Sequence, residues 1–388
     1  MWQDAPRRRI VVYALAIGIC AAVVARGAPG DKDKKSEPLL SKLGFGNKRN
    51  RPADPETLAK ARGPFEKADE QFHAASKLEG DARRKAFWSA SEQYKKVAAA
   101  VGESDLQEDA LMWTGEAAFF ADRYPNAVRA YDELIKQYSN TRYMDRVMAR
   151  RFSIATYWLA QEREDPSWPL TPNVTTRERP RFDTFGNGIK VLDSIRFQDP
   201  TGKLADDATI LAANANFERG KYLRADELYE DLRNSFPNSE HQFKAHFLGL
   251  KCKLMVYEGP EYDGNVLDEA AQLVQQIYRV FPQEAATEKE YLQATEREIR
   301  LKKAEYEWRL ASYFDRRKEY GGARMYYDTV RREYADTNLG QEADKRMGEI
   351  SEEPDAPKQQ AEWLTKLFPR PKPARPLLTR MPTMPLKR

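Results

Sequence analysis

The sequence predicts an all-α solenoid of about five to six helix hairpins, with a disordered N-terminal tether and C-terminal tail. Three observations carry this expectation. Residues of the same type recur at a period in the thirties, the mark that stacked supersecondary units leave in a sequence. From about residue 57 onward, helical patterns alternate with short turns, and no segment shows strand alternation. The 388 residues hold 64 basic and 60 acidic side chains at a mean hydropathy of −0.78, an intermixed balance that describes solvated helix faces. A nucleic-acid footprint needs its basic residues segregated into a patch, so no nucleic-acid partner is expected.

The chain divides into four stretches: a leader over 1–27, a tether over 28–56, the repeats over 57–349 and a tail over 350–388. In the leader, Arg7, Arg8 and Arg9 precede an apolar run from Ile10 to Ala25. A basic segment before a short apolar one is a secretory signal. The run is short of the roughly 20 residues that a spanning helix needs, which leaves an uncleaved inner-membrane anchor as the alternative. Ala25, Arg26 and Gly27 offer a signal-peptidase spacing. Ile17 to Cys20 offers a lipoprotein box in which Ile19 stands where a small residue is usual, so Cys20 is either acylated or one more small apolar residue. Residues 28–56 mix charge, Gly and Pro without periodicity and read as a tether. Gly44 to Lys48 lacks the spacing and the preceding strand of a phosphate loop.

The repeat unit is clearest from Leu204 to Pro237, with Ala213 in the first helix, Tyr222 at the turn, and Ala225, Tyr229 and Leu232 in the second. A second copy carries Gly115, Tyr124, Ala127, Tyr131 and Leu134; a third carries Ala311, Tyr320, Ala323, Tyr327 and Val330, at the same offsets. Small residues let two helices approach closely while rings fill the space beside them, and stacked pairs cover the apolar faces that each leaves open. This is the tetratricopeptide pattern. Four prolines between Gln161 and Asp183 predict a long loop inside the third unit, and Gly259, Pro260 and Gly264 predict an extended turn inside the fifth.

Three stretches resemble one branch of that repeat family, the BamD lipoproteins of outer-membrane β-barrel assembly: Glu108 to Thr141, the interrupted third unit, and Leu301 to Thr337 with its Tyr-x-Asp-Thr ending. The likeness covers roughly residues 57–349. It implies a non-catalytic scaffold on the periplasmic face of the outer membrane, a monomer within a complex and held there by its leader or a lipid. N-terminal repeats would receive unfolded outer-membrane proteins and C-terminal repeats would dock the barrel-assembly subunit. The alternative is another periplasm-facing adaptor anchored in the inner membrane, serving cell division or wall synthesis.

In such arrays the first helices line a groove that takes an extended peptide. Counting from Gly115, the groove positions are Met112, Glu116, Phe119 and Phe120; counting from Ala155, they are Phe152 and Thr156. Exposed rings there would anchor a segment that itself ends in aromatics. The plainer alternative is that one of Phe119 and Phe120 is simply core. His241, His246 and Cys252 match no ligand spacing, so no metal and no cofactor is expected. No nucleophile elbow or paired-carboxylate motif points to an enzyme. The tail from Pro369 to Arg388 holds six basic residues, six prolines and no acid, a disordered extension with at most weak attraction to an anionic surface. Before it, Trp363, Leu364, Leu367 and Phe368 predict either a cap on the last repeat or a docking point.

Overall fold

The computed structural model describes residues 54–166 and 168–357, and among these it contains helices and turns but no strand. The leader with Cys20, most of the tether, the apolar cluster at 363–368 and the basic tail lie outside the described residues. Six hairpins follow one another. They are α1 (Pro55–Ala75) with α2 (Gly80–Ala100), α3 (Asp105–Phe120) with α4 (Tyr124–Gln137), α5 (Met144–Glu164) with α6 (Thr184–Gln198), α7 (Ala205–Glu218) with α8 (Tyr222–Ser235), α9 (Gln242–Val256) with α10 (Asn265–Val280), and, after the short α11 (Pro282–Thr287), α12 (Lys289–Arg316) with α13 (Tyr320–Glu333). A last helix, α14 (Asn338–Glu349), packs on α13 and α12.

Local chemistry starts several helices. Asp54 caps α1 by accepting from the Thr57 amide at 3.3 Å, with Pro55 in the first turn where its missing N–H costs nothing. Ser104 caps α3 by accepting from the Gln107 amide at 3.2 Å. The turn within three hairpins repeats one backbone device. Asp122, Gly220 and Lys318 all have left-handed φ, at 55°, 70° and 60°, and each stands two residues before the tyrosine that opens the second helix. Glycine adopts that conformation freely, whereas Asp122 and Lys318 store strain there.

Consecutive helices pack in chain order, so the interior is built from neighbours. The largest apolar cluster runs from Ala61 to Cys252. A second joins Leu250 and the inner faces of α10 and α11 to Leu292 and Ile299 of α12. A third joins Ala311, near the far end of α12, to Ala323, Tyr327 and Val330 of α13 and Ala343 of α14. The repeat marks sit where the close-packing argument needs them. Gly115, Ala213 and Ala311 are buried, as are Ala127, Ala225 and Ala323 and the rings of Tyr131, Tyr229 and Tyr327. Tyr124, Tyr222 and Tyr320 are half-buried against the same clusters, and Pro237 is exposed just beyond α8.

The proline-rich segment between α5 and α6 is a loop built around Asn173. Its side-chain amide donates to the Thr176 and Arg179 carbonyls at 2.8 and 3.1 Å, while its oxygen accepts from the Thr176 amide at 3.0 Å. The Trp158 indole donates to the Glu178 carbonyl at 2.7 Å and ties the loop to α5. No helix among the described residues is long and apolar enough to cross a membrane.

Candidate peptide groove

The first helices α3 and α5 carry the predicted groove residues, and the structure separates them by depth. Met112 is wholly buried in the main core and lines no groove. Counting from Gly115 allows α3 one partner, but α3 packs against α2 as well as α4. Glu116 is also at 0% exposure, so it is an internal anchor and not a groove-lining acid. Its carboxylate accepts from the Tyr131 hydroxyl at 2.8 Å, from Arg150 Nε at 2.9 Å and Nη2 at 3.1 Å, and from Arg146 Nη2 at 2.5 Å. Burial raises the Glu116 pKa, but the bonds from Arg150 and Tyr131 and the charges of Arg150 and Arg146 outweigh it and hold the carboxyl below its ordinary range.

Phe119 and Phe120 are both half-buried, so each is partly core and partly surface. Phe120 stacks on Phe87 of α2 with ring centroids 5.4 Å apart and meets Phe72 of α1 edge-on at 5.9 Å. Phe119 packs on Tyr124 at 5.5 Å, which in turn meets the exposed Tyr157 of α5 at 5.2 Å. The Arg150 guanidinium lies over both phenylalanines, 4.4 Å from the Phe119 centroid and 5.1 Å from that of Phe120. Arg146 lies 5.4 Å over Trp113. Phe152 is half-buried on the core, and Thr156 is exposed, its hydroxyl donating to the Phe152 carbonyl at 2.9 Å.

Sequence reasoning missed Phe72, Trp113, Arg146, Arg150 and Tyr157. A signal for them existed. Trp113, Glu116 and Phe120 fall at i, i+3 and i+7, and Arg146, Arg150 and Tyr157 at i, i+4 and i+11, so each set lies along one helix face. The resulting surface has one fully buried carboxylate against two partly exposed guanidiniums, which leaves an excess positive charge framed by aromatic rings. Such a surface offers charge-assisted hydrogen bonds and cation–π contact to an anionic group beside an aromatic one.

Elsewhere, the histidines and the cysteine are apart in role. The His246 ring is buried, Nδ1–H donating to the Gln242 carbonyl at 2.8 Å, and faces Phe281. His241 bonds Asp207 at 2.8 Å, and Glu240 lies close enough to share a cation with them. Cys252 is buried, and burial, with the nearby Asp226 charge, pushes its thiol pKa up to about 12.

Small residues nested against rings at the same offsets in three of the six hairpins define a tetratricopeptide-repeat protein, and residues 109–141 match the model of that repeat. Residues 178–366 match the family model described as YfiO, outer membrane lipoprotein. The chain is thus BamD-like: a tetratricopeptide-repeat solenoid that is similar to the outer membrane lipoprotein family over just under half its length. The search of curated proteins returned no match.

Proposed function

We propose that this chain is an envelope scaffold of β-barrel protein assembly, in which the first repeats receive unfolded outer-membrane proteins and the last repeats dock the barrel-assembly subunit. The observation that carries this reading is the family match over residues 178–366, which begins in the loop of the interrupted third unit and takes in α6 and every later repeat. The aromatic and cationic face of α3 and α5 suits the receiving role. An extended segment ending in an aromatic residue would lay its ring beside Phe120 and Trp113 and its carboxylate against Arg146 and Arg150. Acylation of Cys20 would hold the chain at the periplasmic face of the outer membrane. No step in this role calls for a catalytic group or a cofactor.

The test has two arms. Pull-down of the full chain from detergent-solubilised envelopes should recover a barrel-forming assembly subunit, and an acyl label should appear on Cys20 in the outer-membrane fraction. Recovery in the inner membrane with no barrel subunit would support the division or wall adaptor instead. For the groove, Phe120→Ala should weaken capture of a dye-labelled peptide ending in phenylalanine by about 1–2 kcal/mol, the scale of an aromatic anchor. Equal capture by parent and variant removes this face from the function.

A further inference from the structure

A second recessed site lies on the side of the second helices, away from the α3 and α5 face. A cavity of about 600 Å³ opens between α4 and α6, with Arg151 and Trp158 of α5 at its base and residues 180–182 of the proline-rich loop along one edge. That volume lies within the roughly 300–1,000 Å³ of small-ligand and side-chain pockets. Val128, Val191, Pro125, Pro180, Phe182 and Trp158 supply apolar wall. The charge is one-sided: Arg129, Arg151, Arg181 and Lys190 line the cavity against a single carboxylate, Asp132.

Arg151 gives the site its character. Its side chain is only 1% exposed, yet its single carboxylate partner, Asp132 at 2.9 Å, is itself half open to solvent. Ser194 and Gln198, both lining the cavity, accept its other N–H groups as neutral partners, Gln198 at 2.5 Å. Its Nε has no acceptor among the described residues. A guanidinium held this deep with so little compensation projects its charge into the space above it, because few water dipoles stand between. Arg129 donates only to neutral groups, the Pro125 carbonyl at 3.1 Å and Asn126 Oδ1 at 3.2 Å, and with Arg181 and Lys190 it forms no ion pair among the described residues, so their charge adds to that of Arg151.

We infer that this cavity is a docking site for a partner-protein segment that presents a carboxylate next to an apolar side chain. The carboxylate sits above Arg151 within reach of Arg129, Arg181 and Lys190, and the apolar side chain lies on Val128, Val191 and Phe182. The apolar wall favours this occupant over a bare phosphate, which would use the cations and leave the wall unfilled. The site is separate from the face of α3 and α5, so it stands whether or not that face receives clients.

The test uses the full chain and a short amidated dye-labelled peptide with one glutamate beside one leucine in a glycine–serine frame. Anisotropy should show saturable binding that weakens with added salt, and at least a tenfold loss when glutamine replaces the glutamate, the scale of a buried charge-assisted bond. The exposed pair Arg129→Ala with Lys190→Ala should reproduce roughly a tenfold loss, while Phe120→Ala leaves binding unchanged. Equal binding of the glutamate and glutamine peptides, absence of saturable binding, or an unaffected double variant overturns the inference. Vesicles of anionic phospholipid and inorganic phosphate serve as rival probes. Binding of either that the double variant abolishes, while the peptide does not compete for it, assigns the cavity to phosphate and equally overturns it.

Discussion

Replacing Gly115 with alanine tests the packing argument at its tightest point. A Cβ built on Gly115 would lie 2.7 Å from Tyr131 Cδ1 and 2.9 Å from its Cζ, where ordinary contact begins near 3.4 Å. The ring has little freedom to give way. It is wholly buried, its hydroxyl donates to Glu116 at 2.8 Å, and Glu116 is in turn gripped by Arg146 and Arg150. Overpacking of this kind costs about 1–3 kcal/mol. A ring that swings aside instead forfeits a bond to a charged acceptor, about 1.5–3 kcal/mol. Alanine recovers about 1 kcal/mol of helix propensity over glycine. The balance is a loss of about 1 kcal/mol, roughly fivefold in the folding equilibrium. Gly348 near the end of α14 is the control, since it is exposed and a Cβ there would meet nothing within 4 Å. At that position alanine should gain up to about 1 kcal/mol. Urea unfolding followed by circular dichroism and by limited proteolysis reads both variants. A Gly115→Ala chain as stable as its parent would show that the small residue is not there to admit the ring.

Further expectations follow from the same geometry. Because the folded Glu116 carboxyl titrates below its ordinary 4.5, its contribution to stability is complete above about pH 4.5 and is lost as pH falls through the lower folded value. Acid unfolding of Glu116→Gln should therefore have a shallower slope below pH 4.5 than the parent, and parallel curves would refute the ion-pair account. In a Cys20→Ser background, Cys252 should resist a thiol reagent at pH 8 and react fully in urea, since its thiol is buried and its pKa raised to about 12; rapid labelling of the folded chain would contradict this. Gly220→Ala should lower stability by about 1–2 kcal/mol in thermal or urea melts because its φ of 70° penalises any Cβ, and an unchanged midpoint would remove the strain argument for that turn.

The repeat architecture was legible because each hairpin repeats the same local problem. Three copies of a small residue, two tyrosines and an alanine at fixed offsets pin the helix register, and the burial of Ala213 with Tyr229 follows from it. The prolines marked the loop between α5 and α6 for the same reason, since they forbid helix there. Depth was not legible. Met112 and Phe120 lie on the same helix, but whether each is covered depends on how α1 and α2 lean on α3, a contact that no spacing within α3 encodes. The arginines were missed because charged residues on helices usually mark solvated faces. Arg150 and Arg151 are adjacent and alike in sequence, yet one lies over Phe119 and Phe120 while the other is buried at the base of the cavity, since successive helical positions point about 100° apart. The left-handed turn shared by Asp122, Gly220 and Lys318 was hidden because only one of the three is glycine.

The length of α12 has a consequence of its own. Its 28 residues extend about 42 Å, roughly twice the length of its partner α13. Its first half anchors Leu292 and Ile299 in the core beneath α10, and its second half carries Ala311 into the terminal bundle with α13 and α14. One continuous rod thus belongs to two otherwise separate interiors. A partner that orders the final hairpin would therefore also steady the fifth through the shared rod, and by thermodynamic reciprocity an occupant of the fifth would strengthen whatever is held at the end.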